Sequence, residues 1–252
     1  MSDVIPTGTT RDSEFLFERM TSVTLGLVPQ GAERRLLDVA AGFGQDAAAL
    51  AADGARVVAL EPSARMTGWA QLQRTKAESP LPTWVRGWAD YLPFASGSFD
   101  GVICKGAIDH FDRPEAAIAE MARVTRPNGR VVLAIANFES LACRAARLSD
   151  GVRERWFNRE TRRGRRHYDV PADHFTRYDL DLMREQAARS LDLEVVQGLS
   201  LAWGLPLWTR SVGSLPERVA KAALHGLDAA AGLLPDLADV VVLAGRPRAI
   251  SR

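Results

Sequence analysis

Cysteine is almost absent from these 252 residues. Cys104 and Cys143 are too few for a disulfide framework or a four-ligand thiolate zinc site. Lysine is nearly as scarce: only Lys76, Lys105 and Lys221 occur, so arginine supplies almost all of the 32 positive charges. These meet 31 acidic residues for a net charge of +1, which argues against a polyanion-binding surface over the whole protein. A local basic patch is still allowed. No apolar run reaches the roughly 18 residues that would span a bilayer. Residues 1–11 have neither a basic n-region nor an apolar h-region, so no secretory signal is expected. With 46% apolar residues the chain can bury the core of one ample α/β domain or two small ones. A cytoplasmic globular protein is the expectation.

Short β-branched runs alternate with helical spacing. Ser13–Leu27 has apolar residues at Phe15, Leu16, Met20, Val23 and Leu27. Strands are expected at 36–40, 56–60, 83–88, 99–104 and 131–136, with helices between them, Ser63 capping one and Pro114 opening another. Such alternation indicates a parallel sheet covered on both faces. Farther on, 141–148 reads as helix. Thr176-Arg177-Tyr178-Asp179 has capping-box spacing before a helix carrying Leu180, Met183 and Leu191. Residues 193–199 and 240–244 read as two more strands. One domain is expected: a helical segment over 1–33, a ligand-binding core over 34–138, a basic insert over 139–178, and a half over 179–252 with a Trp-, Pro- and Leu-rich insert.

The most informative segment is Leu37-Asp38-Val39-Ala40-Ala41-Gly42-Phe43-Gly44, a strand running into a glycine turn and a helix. In a doubly wound sheet ligands sit at the carboxyl ends of strands, beside the first such turn. Glu61 closes the second strand about 20 residues on, where a carboxylate suits ribose hydroxyls. A dinucleotide turn is a poor match, because Gln45 stands where the third glycine of G-x-G-x-x-G belongs and Asp38 would repel a phosphate. An adenosyl group carrying an amino acid fits better, with Asp38 near its cationic amino end.

Four segments in order extend this reading: the glycine turn; Val58 to Met66; Leu92-Pro93-Phe94 with Ser98-Phe99-Asp100; and Glu120 to Arg130. Over about 34–138 the chain resembles the class I S-adenosylmethionine-dependent methyltransferases of the type 11 branch. The resemblance implies a Rossmann-like, doubly wound α/β sheet of seven strands, mostly parallel with an antiparallel last strand, plus helical lid insertions. It implies S-adenosylmethionine as cofactor, with Gly42 and Gly44 against its methionyl part, Ala40 at the first small position, Glu61 on the ribose and Met66 near the adenine. The family's usual adenine-binding Asp is replaced by Trp88, followed by Ala89 and Asp90. Ala89 can still offer its amide and Asp90 a carboxylate. Trp88 either lies against the adenine or faces the core.

Chemistry is expected just after the fourth strand, at Cys104-Lys105-Gly106-Ala107-Ile108-Asp109-His110. The Asn/Asp-Pro-Pro-aromatic motif of adenine or glutamine methylation is missing. No Pro-Cys nucleophile is present, and Asp109 is a lone carboxylate, so no metal is expected. His110 is the candidate general base, or else packs at the entrance of the next helix. Lys105 either meets the cofactor carboxylate or an anionic substrate, or reaches solvent. His167, Tyr168 and His174 are candidate substrate contacts. Between 150 and 166, Arg153, Arg155, Arg159, Arg162, Arg163, Arg165 and Arg166 outnumber Asp150, Glu154 and Glu160. They form either an anion-binding lid or a solvated face. Leu201–Leu207, with Trp203 and Trp208, reads as an apolar cap over a pocket, a dimer contact, or ordinary helix packing. The expected activity is methyl transfer to a small molecule, anionic compounds included, through oxygen, nitrogen or carbon. RNA methylation through the arginine stretch and a non-catalytic cofactor-binding protein are the alternatives. Nucleic acid is disfavoured as a partner, membrane insertion is not expected, and the oligomeric state is open.

Overall fold

The computed structural model describes residues 10–74, 81–157, 168–169 and 174–249. Helix α1 (Arg11–Leu27) precedes β1 (Arg35–Val39), α2 (Gln45–Ala52), β2 (Arg56–Leu60), α3 (Ala64–Arg74) and β3 (Thr83–Val85). Next come β4 (Phe99–Lys105), α4 (Pro114–Val124), β5 (Thr125–Ala136) and α5 (Leu141–Phe157). The C-terminal part contains α6 (Leu180–Ala188), β6 (Leu191–Leu199), α7 (Pro206–Ser214), α8 (Glu217–Leu233) and β7 (Val240–Pro247).

One seven-stranded sheet results, in the order β3-β2-β1-β4-β5-β7-β6. The pairs among β1 to β5 are parallel, and β7 runs antiparallel to both β5 and β6. The doubly wound, mixed sheet expected from the sequence is therefore the one observed.

Strand side chains alternate between faces, so a sheet covered on both sides needs continuous apolar runs. Leu37, Val102, Leu133 and Leu243 pack with Ile118 and Met121 of α4 and Met183 of α6. Their chain neighbours Leu36, Ile103, Val132 and Val242 pack the other way, with Leu16 and Met20 of α1 and Leu50 of α2. Each of these side chains removed from water contributes about 1.5–3 kcal/mol.

Several boundaries differ from the sequence reading. The third strand stops at Val85 rather than Trp88, because it is an edge strand paired for only three residues and Arg86-Gly87 turns it away. Strand β5 starts at Thr125, directly after α4, and passes through Pro127-Asn128-Gly129. The ladder with β4 jumps from Phe99↔Thr125 to Gly101↔Arg130, so these residues bulge. No left-handed residue is needed there, and Asn128 is not among the residues with positive φ. Gly129 is required for space instead, since a Cβ would stand 2.6 Å from the Asp100 carbonyl oxygen. Asp179, not Thr176, caps α6, by accepting the Leu182 N–H at 2.8 Å. Leu191 belongs to β6, not to that helix. Helix α5 runs on to Phe157 and takes in part of the arginine-rich segment. Among the described residues no helix is long and apolar enough to cross a membrane.

Candidate active site

After β3 the chain crosses to the other side of β1, and β4 pairs there. That reversal opens a crevice at the carboxyl ends of β1 and β4. The turn leaving β1 alternates in hand: Ala40, Gly42 and Gly44 have φ of 57°, 57° and 80°. Ala40 adopts at some cost a conformation that glycine takes freely. A Cβ on Gly42 would meet nothing within 4 Å, so this part of the turn faces open space. Gly44 is enclosed, because its Cβ would lie 2.5 Å from the Trp84 ring. The sequence reading missed Trp84.

Glu61, at the end of β2, closes the turn from the side. One carboxylate oxygen accepts the Gly42 N–H and the other the Ser63 N–H, both at 2.9 Å. Burial raises its pKa, against the pull of those two N–H groups. Ser63 also accepts the Met66 N–H at 3.3 Å, which places half-buried Met66 in the first turn of α3.

Asp38 is buried beneath the turn. Its pKa stands well above the carboxylate range through burial first and then the Asp46 charge, with Lys105 opposing. The Lys105 ammonium donates to Asp46 at 2.7 Å and to Thr21 of α1 at 2.6 Å. Lys105 thus ties α1 and α2 together at the crevice instead of reaching solvent. Two carboxylates here share one ammonium.

Beyond β3, Trp88 is 70% exposed, not packed in the core, because its strand has already ended. Ala89 is buried beside it, and Asp90 binds Arg113 at 2.5 Å. The next motif segments are clasped to each other. Glu120 accepts the Leu92 N–H at 2.9 Å, and Arg123 donates to the carbonyls of Leu92 and Phe94 at 3.0 and 2.9 Å.

Past Lys105, a 3₁₀ turn (Ile108–His110) brings up Asp109 and His110. The Asp109 carbonyl accepts the N–H groups of Phe175 and Thr176 at 2.8 and 3.2 Å, which pins the later segment here. As a result His174 Nε2 lies 3.0 Å from an Asp109 carboxylate oxygen, and the two imidazoles are 3.9 Å apart between ring centres. Cys104 is buried, and burial, then Asp38 and Asp109, push its thiol far up, which rules it out as a nucleophile at neutral pH.

Tyr168 lies along α5, its hydroxyl 3.1 Å from Asp150 and its ring beneath Arg147. Arg153 and Arg155 are exposed on α5. His167, Arg159, Arg162, Arg163, Arg165 and Arg166 lie outside the described residues. The apolar stretch is packed against α1. Trp203 donates its indole N–H to Ser13 at 3.0 Å, and Trp208 packs with Phe15, Val212 and Leu224. A cleft of about 360 Å³ remains between Asp12, Trp203 and Thr209.

A family model described as a methyltransferase domain matches residues 37–133, the stretch from the first strand to the fifth. Over that stretch the chain is similar to a methyltransferase domain. It is similar to a demethylmenaquinone methyltransferase of Beutenbergia cavernae, 39% identical over 133 residues that make up 53% of this chain and 50% of that one. The chain thus spans about half the length of the curated relatives it matches. Among solved structures, a putative methyltransferase in complex with the Haloferax volcanii Trm112 activator superposes with a TM-score of 0.62 at 18% identity. It covers 96% of this chain and 95% of its own. A geranyl diphosphate C-methyltransferase of Streptomyces coelicolor, solved with S-adenosyl-L-homocysteine, gives 0.60 at 14% identity, covering 94% and 82%. These likenesses show the fold. The glycine turn, Glu61 and the clasped Leu92–Arg123 segments all fall within the matched stretch. His174 and the helices α7 and α8 fall outside it.

Proposed function

We propose that the protein is an S-adenosylmethionine-dependent methyltransferase acting on a small organic molecule. The observation that carries this reading is Glu61. Its carboxylate bridges the glycine turn and the start of α3 beside open space at Gly42. The residues fit the cofactor in charge as well, since two carboxylates, Asp38 and Asp46, face a single ammonium, Lys105. A ligand with a cationic amino group would balance that set and favour the ionised form of Asp38.

When bound, S-adenosylmethionine supplies an electrophilic methyl group on sulfonium. The work of the chain is then alignment and exclusion of water. Glu61 would accept from the ribose diol and Asp38 would face the amino end. Gly42 and Gly44 let the backbone approach closely, with Met66, Trp88 and Ala89 at the adenine. Asp90 is held by Arg113, so Trp88 takes the larger share of that contact. Asp109, His110 and His174 form the polar end of the acceptor site. The name of the curated relatives, demethylmenaquinone methyltransferase, supports a small-molecule acceptor.

Calorimetry with S-adenosylmethionine and its demethylated product tests the reading. Binding is expected for both, and Glu61→Ala should weaken it about 150-fold or more, the worth of two hydrogen bonds to a charged group at about 1.5 kcal/mol each. Normal binding by that variant would remove the ribose role. Failure of the wild-type protein to bind either molecule at millimolar concentration would remove the function.

A further inference from the structure

Asp109, His110 and His174 converge from two places in the chain, and their ligating atoms all lie within 4.8 Å of one another. Asp109 is buried, with 3% of its surface exposed. One of its oxygens faces His174. The other, Oδ1, is fully buried and has no hydrogen-bond partner among the described residues. A buried carboxylate oxygen left this way costs on the order of 1–3 kcal/mol or more, so the arrangement asks for a further positive group.

His174 does not fill that need, because its Nε2 lies against Oδ2, 3.0 Å away, and leaves Oδ1 without a partner. Cys104 and Tyr178 also face Asp109, and each holds its proton more tightly through burial first, with the Asp109 charge adding to it. Neither brings a positive charge. A divalent ion, by contrast, engages one carboxylate and two neutral imidazoles together. Ligands about 2.1 Å from a metal in tetrahedral geometry stand about 3.4 Å apart. Asp109 Oδ2 and His174 Nε2, 3.0 Å apart, need to separate only slightly to reach that spacing.

We propose that Asp109, His110 and His174 bind a divalent transition-metal ion. Two imidazoles and one carboxylate suit zinc, iron(II), cobalt(II) or manganese(II) better than calcium or magnesium, and three protein ligands leave positions open for a substrate atom. The proposal rests on reading this cluster as the acceptor end of a methyltransferase site. There the ion acts as a Lewis acid on an acceptor oxygen. The O–H bond breaks, the proton passes to water, and the electron pair stays on the oxygen that is to be methylated. The oxidation state of the metal does not change. His110 becomes a ligand instead of a base.

The test uses tag-free, full-length protein dialysed against a chelator and then titrated with cobalt(II) while visible absorption is recorded. One equivalent should bind and give ligand-field bands. His110→Ala and His174→Ala should each weaken binding at least tenfold and change the spectrum. His225→Ala, at a histidine packed on Phe15, should bind as wild type. His110 is partly exposed, so its variant is expected to fold, with circular dichroism as the check. Absence of bands at millimolar cobalt would overturn the proposal. So would bands that survive both substitutions. Neither readout involves S-adenosylmethionine, so this failure is distinguishable from a failure of the methyltransferase reading, which calorimetry scores.

Discussion

The two sides of the β1–β4 boundary are held together over very different distances along the chain. On the β3-β2-β1 side the bonds that shape the site are short in sequence: Gly42 to Glu61 spans 19 residues, and Arg86 to the Pro62 carbonyl spans 24. On the β5-β7-β6 side they are long. Asn137 reaches the Ala238 carbonyl across 101 residues, and Arg19 reaches Asp228 across 209. The first side builds its crevice from one strand-turn-helix unit and its neighbour. The second is assembled from segments that meet only when the fold is complete.

Substitutions that separate these two modes should differ in size and in what they disturb. On the short-range side the largest effect is expected at Gly44→Ala, where a Cβ meets the Trp84 ring at 2.5 Å and φ is 80°. A loss of about 2–3 kcal/mol in urea unfolding, with cofactor binding weakened in step, is expected. Unchanged stability would mean that Trp84 is not packed on the turn.

On the long-range side, Asp239 is the sensitive point. Burial raises its pKa to about 7, although the Trp203 N–H and nearby hydroxyls pull it down. A native pKa above the unfolded value means that the folded protein keeps a proton the unfolded chain has lost. Stability should therefore fall as pH rises from about 4 to 7, by on the order of 4 kcal/mol. Asp239→Asn should flatten that slope in unfolding measured at several pH values, and an unchanged slope would refute the assignment.

Asp38→Asn should pull the two kinds of role apart. Removing a buried carboxyl whose ionised form is disfavoured by burial should raise stability at neutral pH. The same change should weaken S-adenosylmethionine binding at least tenfold. Lower stability together with intact binding would contradict both parts. The smallest effect is expected at Ala40→Gly. There, relief of the left-handed alanine is offset by the greater freedom of glycine in the unfolded chain, for a net change under about 1 kcal/mol.

The same contrast explains how much of this protein could be read from its residues. The sheet, the glycine turn and Glu61 are local patterns, and each occurs where the sequence reading expects it. The four motif segments travel together for a structural reason: Glu120 and Arg123 hold the backbone of Leu92 and Phe94, so two of the segments are one clasp. For Trp88 the sequence leaves the adenine and the core open, because an aromatic near an apolar strand suits either; the pairing with β2 ends three residues earlier and removes the core. The Asp109–His174 contact had no local signal at all. Backbone bonds from Phe175 and Thr176 make it, and neither spacing nor composition announces those.

Strand β6 pairs with β7 and with no other described strand, and β7 also covers the open edge of β5. During synthesis β5 and β6 therefore leave the ribosome well before the strand that joins them. Until β7 arrives, β5 presents a long apolar edge, the kind of surface that recruits other chains. Yield at high expression temperature should thus depend on how quickly residues 240–247 are completed and docked, more than on the quality of the glycine turn.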